Sequence, residues 1–220
     1  MHVGFFRSFG FGRITQTAGT IIIRLVPGMK NLRTKVTKAV VTNSTTAHTL
    51  TFMRPLGKTT LSAAAAAAQT TIVLSVDPGN YSAAATAAGR PTPSVANNLL
   101  ASGDYFAIRG PDGVWFHSLI NGTPVTASDG KCTIVSTANV PTGGLPAGST
   151  FYTFGVLTDT DPRTGIVHPL FTIPVSATTT FDGGNGSVAE TIDQNEPIMI
   201  QENNATAAAT LEQVSGVYGT

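Results

Sequence analysis

Cysteine is almost absent: Cys132 is the only one in 220 residues, which excludes an intrachain disulfide framework and any zinc site built on two or more thiolates. Charge is scarce too. Asp, Glu, Lys and Arg make up 11% of the chain against roughly 25% in an ordinary soluble domain, too little to clothe the solvent faces of long helices. No apolar run reaches membrane-spanning length, because Arg24 interrupts the early stretch of Ile21, Ile22, Ile23, Leu25 and Val26. Residues 1–13 contain no uninterrupted apolar core of signal-peptide size, so synthesis in a host cytoplasm without a signal peptide is expected. There is no His-x-x-x-His pair and no Gly-x-Ser-x-Gly, and Gly57-Lys58-Thr59 lacks the upstream glycine of a phosphate loop. The expectation is a protein that is not an enzyme, with no catalytic residue, no metal site and no cofactor.

Glycine (23 residues), proline (13) and threonine at about one residue in seven point instead to many short strands joined by tight turns. β-Branched runs lie at residues 20–26, 34–42, 47–53 and 70–76, each closed by a Pro, Gly or Asn signal. Residues 104–109, the turn Gly110-Pro111-Asp112-Gly113 and residues 114–120 read as a β-hairpin with a type I turn. Further strands are expected at 131–137, 149–157, 168–175, 196–202 and 209–219, with Pro169 and Pro174 marking an edge or irregular strand. The alanines of residues 63–68 predict one short helical turn or a packed connector, being too few for a stable helix. These ten to twelve strands give an all-β fold, a short-strand β-barrel or β-sandwich with an extended N-terminal arm. Four segments are expected: an arm at 1–19, a basic β segment at 20–58, a small β-barrel module at 59–157 and an acidic β segment at 158–220.

The formal net charge of +1 hides an asymmetry. Residues 1–58 hold nine of the thirteen basic residues and no acid, whereas all twelve acids lie from Asp77 onward with only four basic residues. A basic part of +9 thus precedes an acidic part of −8. In the arm Phe5, Phe6, Phe9 and Phe11 alternate with glycines and with Arg7 and Arg13, without helix or strand period. Such an arm either packs on its own domain or a neighbouring copy, or inserts into a partner surface, where aromatic anchors beside arginines are what a buried interface uses. Phe5, Phe6, Arg7, Phe9, Phe11 and Arg13, continued by Arg24, Lys30, Arg33, Lys35 and Lys38, are therefore the candidate partner-binding residues. In the 34–42 run alternation sets Val36, Lys38 and Val40 on one face and Lys35, Thr37 and Ala39 on the other, a polar pattern that suits a sheet edge or an interface. The cations could meet nucleic acid, but the acidic remainder would repel phosphate, and a protein surface of opposite charge fits both parts.

Other features read as structural. Alternation places His117 with Trp115 and Leu119 as a packed or rim histidine, and Cys132 as a buried or half-buried thiol, not a nucleophile. Residues 159–165 (DTDPRTG) hold two acids in a glycine-closed loop but lack the bidentate glutamate of a calcium site, so a turn is expected there and again at 182–186.

From Leu56 to Gly155 the Ala-rich lead-in TTLSAAAAAAQTTIVLSVDPG, the strand start LLASGDYFAIRGPDGVWFHSLING and the run KCTIVSTANVPTGGLPAGSTFYTFG resemble the small β-barrel modules of tailed-bacteriophage virion proteins, notably head decoration or cement proteins. The resemblance implies a structural virion protein on the outer surface of a capsid. It would bind the major capsid protein, form a homo-oligomer such as a trimer, and brace the shell. It implies no catalytic residue, no membrane and no direct nucleic-acid contact. Two other readings stand beside it. One is a carbohydrate-binding or adhesin-like module using Trp115, Tyr105, Tyr81 and Phe116; the other is nucleic-acid binding through the basic N-terminal part.

Overall fold

The computed structural model describes residues 7–11, 14–16, 23–28, 33–43, 48–53, 55, 57–77, 100–110, 113–155, 160–161, 166–167, 169–175, 179–182, 196–202 and 209–219. Among them there is no helix, every strand pairing is antiparallel, and the fold is all-β. The chain forms two compact units: unit 1 joins Met1–Arg54 to Pro169–Thr220, and unit 2 is Pro55–His168.

Strands are numbered along the whole chain. Unit 1 contains β1 (Arg7–Phe11), β2 (Ile14–Gln16), β3 (Ile23–Val26), β4 (Arg33–Asn43), β5 (His48–Met53), β15 (Pro169–Val175), β16 (Thr179–Asp182), β17 (Ile198–Glu202) and β18 (Ala209–Gly219). One sheet has the order β1-β18-β4-β16, and the other β15-β5-β17-β3. β2 continues β1 along β18 in the same register, Phe11 opposite Val214 and Ile14 opposite Leu211, so the two form one interrupted strand. Counting them as one gives eight strand positions, ordered 1-8-3-6 in one sheet and 5-4-7-2 in the other. That is the strand order of a double-sheet jelly roll, in which long connections repeatedly cross between the sheets. β15 also lies against β16 and β4, where the sheets meet. Two register partners, Val26 with Ile198 and Met53 with Met199, are wholly buried.

Two expectations are corrected here. No closed barrel forms among the described residues. Within the 1–19 segment, Arg7–Phe11 and Ile14–Gln16 are laddered to β18, so this part of the arm packs on its own unit, where an 11-residue partner strand supplies backbone bonds that no local sequence period announces. The lysine-bearing strand β4 lies inside its sheet, between β18 and β16, and not at an edge. Polarity reports which face meets water, while ladder position is decided by backbone pairing. The β4–β18 register shifts between Leu211 and Gln213 and back between Ser215 and Gly216. Glu212 on β18 and Thr37 on β4 are the extra residues at these irregularities. The proline-bearing strand β15 does sit at a sheet edge, as Pro169 and Pro174 suggest.

The pairing also folds the charge asymmetry together. Unit 1 draws eight basic residues from its first segment and six acids from its second, leaving it +2, while unit 2 is −1. The basic and acidic parts of the sequence are interleaved strands of one unit: Lys38 has Asp182 of β16 as one register partner and Ser215 of β18 as the other.

β5 and β15 are neighbours, with Met53 opposite Pro169. The chain therefore leaves unit 1 and rejoins it at adjacent positions, and everything between is unit 2. Its strands are β6 (Gly57–Thr60), β7 (Thr71–Leu74), β8 (Tyr105–Arg109), β9 (Trp115–Leu119), β10 (Val125–Thr126), β11 (Cys132–Val135), β12 (Thr150–Gly155), β13 (Thr160–Asp161) and β14 (Ile166–Val167). They build a four-stranded sheet, β6-β12-β8-β9, a three-stranded sheet, β10-β11-β7, and the small β13–β14 pair. Among the described residues the two larger sheets are linked at isolated bridges, Leu61 with Leu74 and Ile120 with Ser136. Between them lies one core that includes Leu61, Ile72, Leu74, Phe106, Ile108, Phe116, Ile134 and Phe151. Phe106 is its centre, stacked on Phe151 at 5.2 Å and edge-on to Phe116 at 5.8 Å. β8 and β12 bury their other face as well, through Tyr105, Ala107, Tyr152 and Phe154.

The expected hairpin is β8–β9, with Arg109 opposite Trp115. The Gly113 amide donates to the Gly110 carbonyl at 3.0 Å, and Gly113 has φ +83°, the left-handed turn position that glycine suits. The alanine run forms no helical turn and is the packed connector instead. Its backbone groups are taken by the loop 140–149: Ala65 and Leu145 exchange two bonds of 2.8 Å, and Ala68 donates to Val140 at 2.9 Å. A segment whose amides are paired sideways cannot also pair them along a helix.

Candidate functional site

Register places seven of the eleven candidate partner-binding residues. Arg7, Phe9 and Phe11 lie on β1 opposite Tyr218, Gly216 and Val214. Arg33, Lys35 and Lys38 lie on β4 opposite Gly219, Val217 and Ser215, on the other side of the same β18. The backbone thus brings Arg7, Arg33, Lys35 and Lys38 to one end of one sheet, the end where β18 finishes, although 26 positions separate Arg7 from Arg33. Arg24 lies in the other sheet, on β3 opposite Ile200. Phe5, Phe6, Arg13 and Lys30 lie outside the described residues, as do Tyr81, His2, His168 and most of the two acidic loops. Of those loops, Thr160–Asp161 pairs with Ile166–Val167 as a two-residue ladder.

Sequence reasoning did not reach this gathering of cations, because it depends on β18, the last strand, lying between the first and the fourth. The only sequence signal was the unusual length of the β-prone run at 209–219.

In unit 2 the described aromatic residues offered for sugar stacking are packed. Tyr105 and Phe116 are buried, and Trp115 is half-buried with its ring 5.8 Å from that of Tyr152, itself buried. His117 is exposed on β9, on the side of Trp115 and Leu119, as alternation indicates. A shallow cleft of about 220 Å³ lies between the β8–β9 turn and the loop 141–146, walled among the described residues by Gly110, Val114, Pro141 and Leu145, none of them charged. No group of three or more metal-ligating side chains occurs among the described residues.

The buried polar groups are structural. Asp104 accepts from the Ala101 amide at 2.8 Å through its carboxylate and from Ile120 at 2.9 Å through its carbonyl, fixing the start of β8. Ser118 and Thr137 share a hydroxyl bond of 2.9 Å across the β9 seam. Thr59 is buried on β6 with its hydroxyl unpartnered. Replacing it by valine removes an unsatisfied polar atom at constant shape, and Thr59→Val is expected to stabilise unit 2 by about 1 kcal/mol in urea unfolding; a loss of stability would show that the hydroxyl has a partner.

Cys132 is fully buried on β11. Burial first, then the Asp77 carboxylate, pushes its thiol up from 9.0 to about 11. Thiolate is the reactive form, so a maleimide reagent at neutral pH should leave the folded protein unlabelled and label it fully in denaturant. The folded thiol keeps its proton where the unfolded one releases it, so this group's stabilising contribution is complete below about pH 9 and is lost as pH rises towards 11. Tyr105, raised by burial from 10.0 to about 12, adds a second loss at higher pH. Cys132→Val should flatten the first limb of the alkaline melting curve and leave the second.

No protein-family model matches this chain, and no curated protein matches it. Among solved structures it is similar to VP17, a capsid protein of bacteriophage P23-77, at 6% identity over 99% of this chain and 97% of that one, with a TM-score of 0.24. It is also similar to a structure of infectious bursal disease virus, Gx strain, at 14% identity over 97% of this chain and 42% of that one, with a TM-score of 0.12. At such scores neither likeness fixes a fold or a role for this chain.

Proposed function

We propose that this chain is a structural protein of a viral capsid: its jelly-roll unit is the part that binds the shell, and the inserted β unit is the part that decorates and braces it. The observation that carries this reading is the strand order of unit 1, since the double-sheet jelly roll is an architecture of capsid and lectin domains and of cupins. Fold alone does not choose among those. Against a cupin-like metal site stands a chain with four histidines far apart in sequence. A sugar-stacking lectin role is disfavoured by the packing of Tyr105, Phe116 and Trp115. The segment that resembles phage decoration modules, Leu56 to Gly155, falls wholly within unit 2. Joining such a module to a jelly roll through the neighbouring residues Met53 and Pro169 gives one chain both an attachment unit and an outer unit.

On this reading the major capsid protein is the partner. The cations at the end of β18 and β4 meet an acidic patch on it, and copies associate around the shell, as the trimers of decoration proteins do. The laddering of β1 to β18 makes deletion of residues 1–19 a poor test, because it strips an edge from the sheet. Charge reversal is cleaner. Arg7→Glu with Lys35→Glu should lower occupancy on assembled particles at least about tenfold while the melting of unit 2 stays unchanged. Undiminished occupancy would sink the attachment role. Salt-sensitive binding of free duplex DNA that these substitutions abolish would favour the nucleic-acid reading instead.

A further inference from the structure

We infer that Asn121-Gly122 is a site of spontaneous deamidation, at which the Gly122 backbone nitrogen attacks the Asn121 side-chain amide and Ser102 governs how fast it does so. The dipeptide follows β9, just past the Ile120–Ser136 bridge that links the two sheets. Asn121 is exposed, so its side chain can turn back on the main chain. The glycine that follows has no Cβ to hinder that approach, and its φ of +75° is a backbone state that few other residues adopt. Two bonds hold the main chain here. The Asn121 amide donates to the Val135 carbonyl at 2.7 Å, and the Gly122 amide donates to the Ser102 hydroxyl oxygen at 3.2 Å. The second bond governs the reaction, because its donor is the nucleophile. A Gly122 nitrogen directed at Ser102 must give up that bond before it can reach Cγ of Asn121. Asn139 supplies the contrast. It is also exposed, but the residue after it is the β-branched Val140, which is buried and whose amide is held by the Gln69 carbonyl at 2.9 Å.

The reaction needs no co-reactant beyond water. The Gly122 nitrogen forms a bond to Cγ and gives its proton to solvent; the Cγ–Nδ2 bond breaks, and the side-chain nitrogen leaves as ammonia with a proton from solvent. The product is a five-membered succinimide. Water then opens the ring, either at Cγ to leave an aspartate at position 121, or at the main-chain carbonyl to leave an isoaspartate whose main chain runs through Cβ and Cγ. Nothing is oxidised or reduced, and the formal net charge of +1 falls by one. The isoaspartate form adds one atom to the main chain between the two amides that Val135 and Ser102 hold. Both bonds cannot then keep their places, so the seam at Ile120 and Ser136 loosens with age. The aspartate form keeps the main-chain length and leaves the seam as it was. This chemistry belongs to the free chain and does not rest on the capsid reading.

Trypsin gives a direct readout, because the fragments 110–131 and 132–163 each contain a single side-chain amide, Asn121 in the first and Asn139 in the second. In the folded full-length protein, aged in mildly alkaline buffer, conversion of amide to carboxyl should accumulate in 110–131 while 132–163 stays intact. Ser102→Ala, at an exposed position, should speed the conversion about fivefold, the rate equivalent of one ordinary hydrogen bond. In denaturant the parent and the variant should age at one rate, since the bond to Ser102 exists only in the fold. Aged protein should melt below fresh Asn121→Asp, which carries the new charge without the longer main chain, whereas aged Asn121→Gln should keep its melting temperature. A 110–131 fragment that ages no faster than 132–163, an unchanged rate in Ser102→Ala, or a rate difference that persists in denaturant would each overturn the assignment. Equal melting of the aged parent and fresh Asn121→Asp would overturn the loosening of the seam.

Discussion

Phe106→Ala should cost unit 2 about 3–5 kcal/mol, the usual range for a fully buried aromatic. The ring is completely buried, and it links the β12 side of the core, through Phe151, to the β9 side, through Phe116. Small domains hold only about 5–15 kcal/mol in total, so the variant should unfold at a much lower urea concentration. The half-buried Trp115 gives the comparison: Trp115→Ala removes a larger ring from the rim and should cost clearly less. A Phe106 variant as stable as the parent would mean that the two sheets do not share the core described.

The second large effect comes from a glycine. Gly144 has φ +73°, and a Cβ added there would stand 2.8 Å from the Ala65 carbonyl oxygen, a backbone atom that cannot swing aside. Ala65 and Leu145 exchange two backbone bonds at this point, so relieving the clash means opening the only described attachment of the alanine connector to the middle of the 140–149 loop. The left-handed backbone alone costs alanine about 1–2 kcal/mol, and the clash adds to it. Gly144→Ala should therefore lower the melting temperature by about 5–10 °C. Its neighbour separates the two contributions. Gly143 also has positive φ, +101°, but nothing within 4 Å of an added Cβ, so Gly143→Ala should show the backbone cost alone. Equal losses at 143 and 144 would mean that the close approach to Ala65 is not real.

Much of the fold was legible in the sequence wherever side-chain alternation, turn chemistry and burial agreed. The β8–β9 hairpin is the plainest case: alternation over 104–109 and 114–120, with a Gly-Pro-Asp-Gly turn between, predicts both strands and their pairing. β3, β4, β5 and β7 follow from β-branched runs, and β11, β17 and β18 lie where further strands are expected. β6, β10, β13 and β14 escape notice because two to four residues, several of them Thr or Gly, carry no measurable period. β1 and β2 escape for another reason: a phenylalanine-glycine alternation becomes a strand only when β18 arrives as its partner from the far end of the chain.

Long-range pairing also explains why the placement of the candidate residues was not legible in the sequence. Read along the chain, the cations form one end and the acids the other, which suggested a basic attachment segment and a separate acidic outer segment. The jelly-roll order inserts the last strand between the first and the fourth, so acidic and basic segments become alternate strands of unit 1. Local signals cannot reveal this, because strand order is set by which ladders close with least exposed edge, and not by any one strand's composition. Cys132, by contrast, was readable: Ile134 and Cys132 share the inner side of one short strand, and burial of one implies burial of the other.

The proposed role is tested most directly by the number of copies of this chain on purified, genome-filled particles, counted by quantitative mass spectrometry against the major shell protein. A shell-bracing protein bound at repeated lattice positions should be present in tens to hundreds of copies, in a fixed small-integer ratio to the shell protein, and should remain after the genome is released. Absence from washed particles, or a handful of copies at a single vertex or tail, would contradict it.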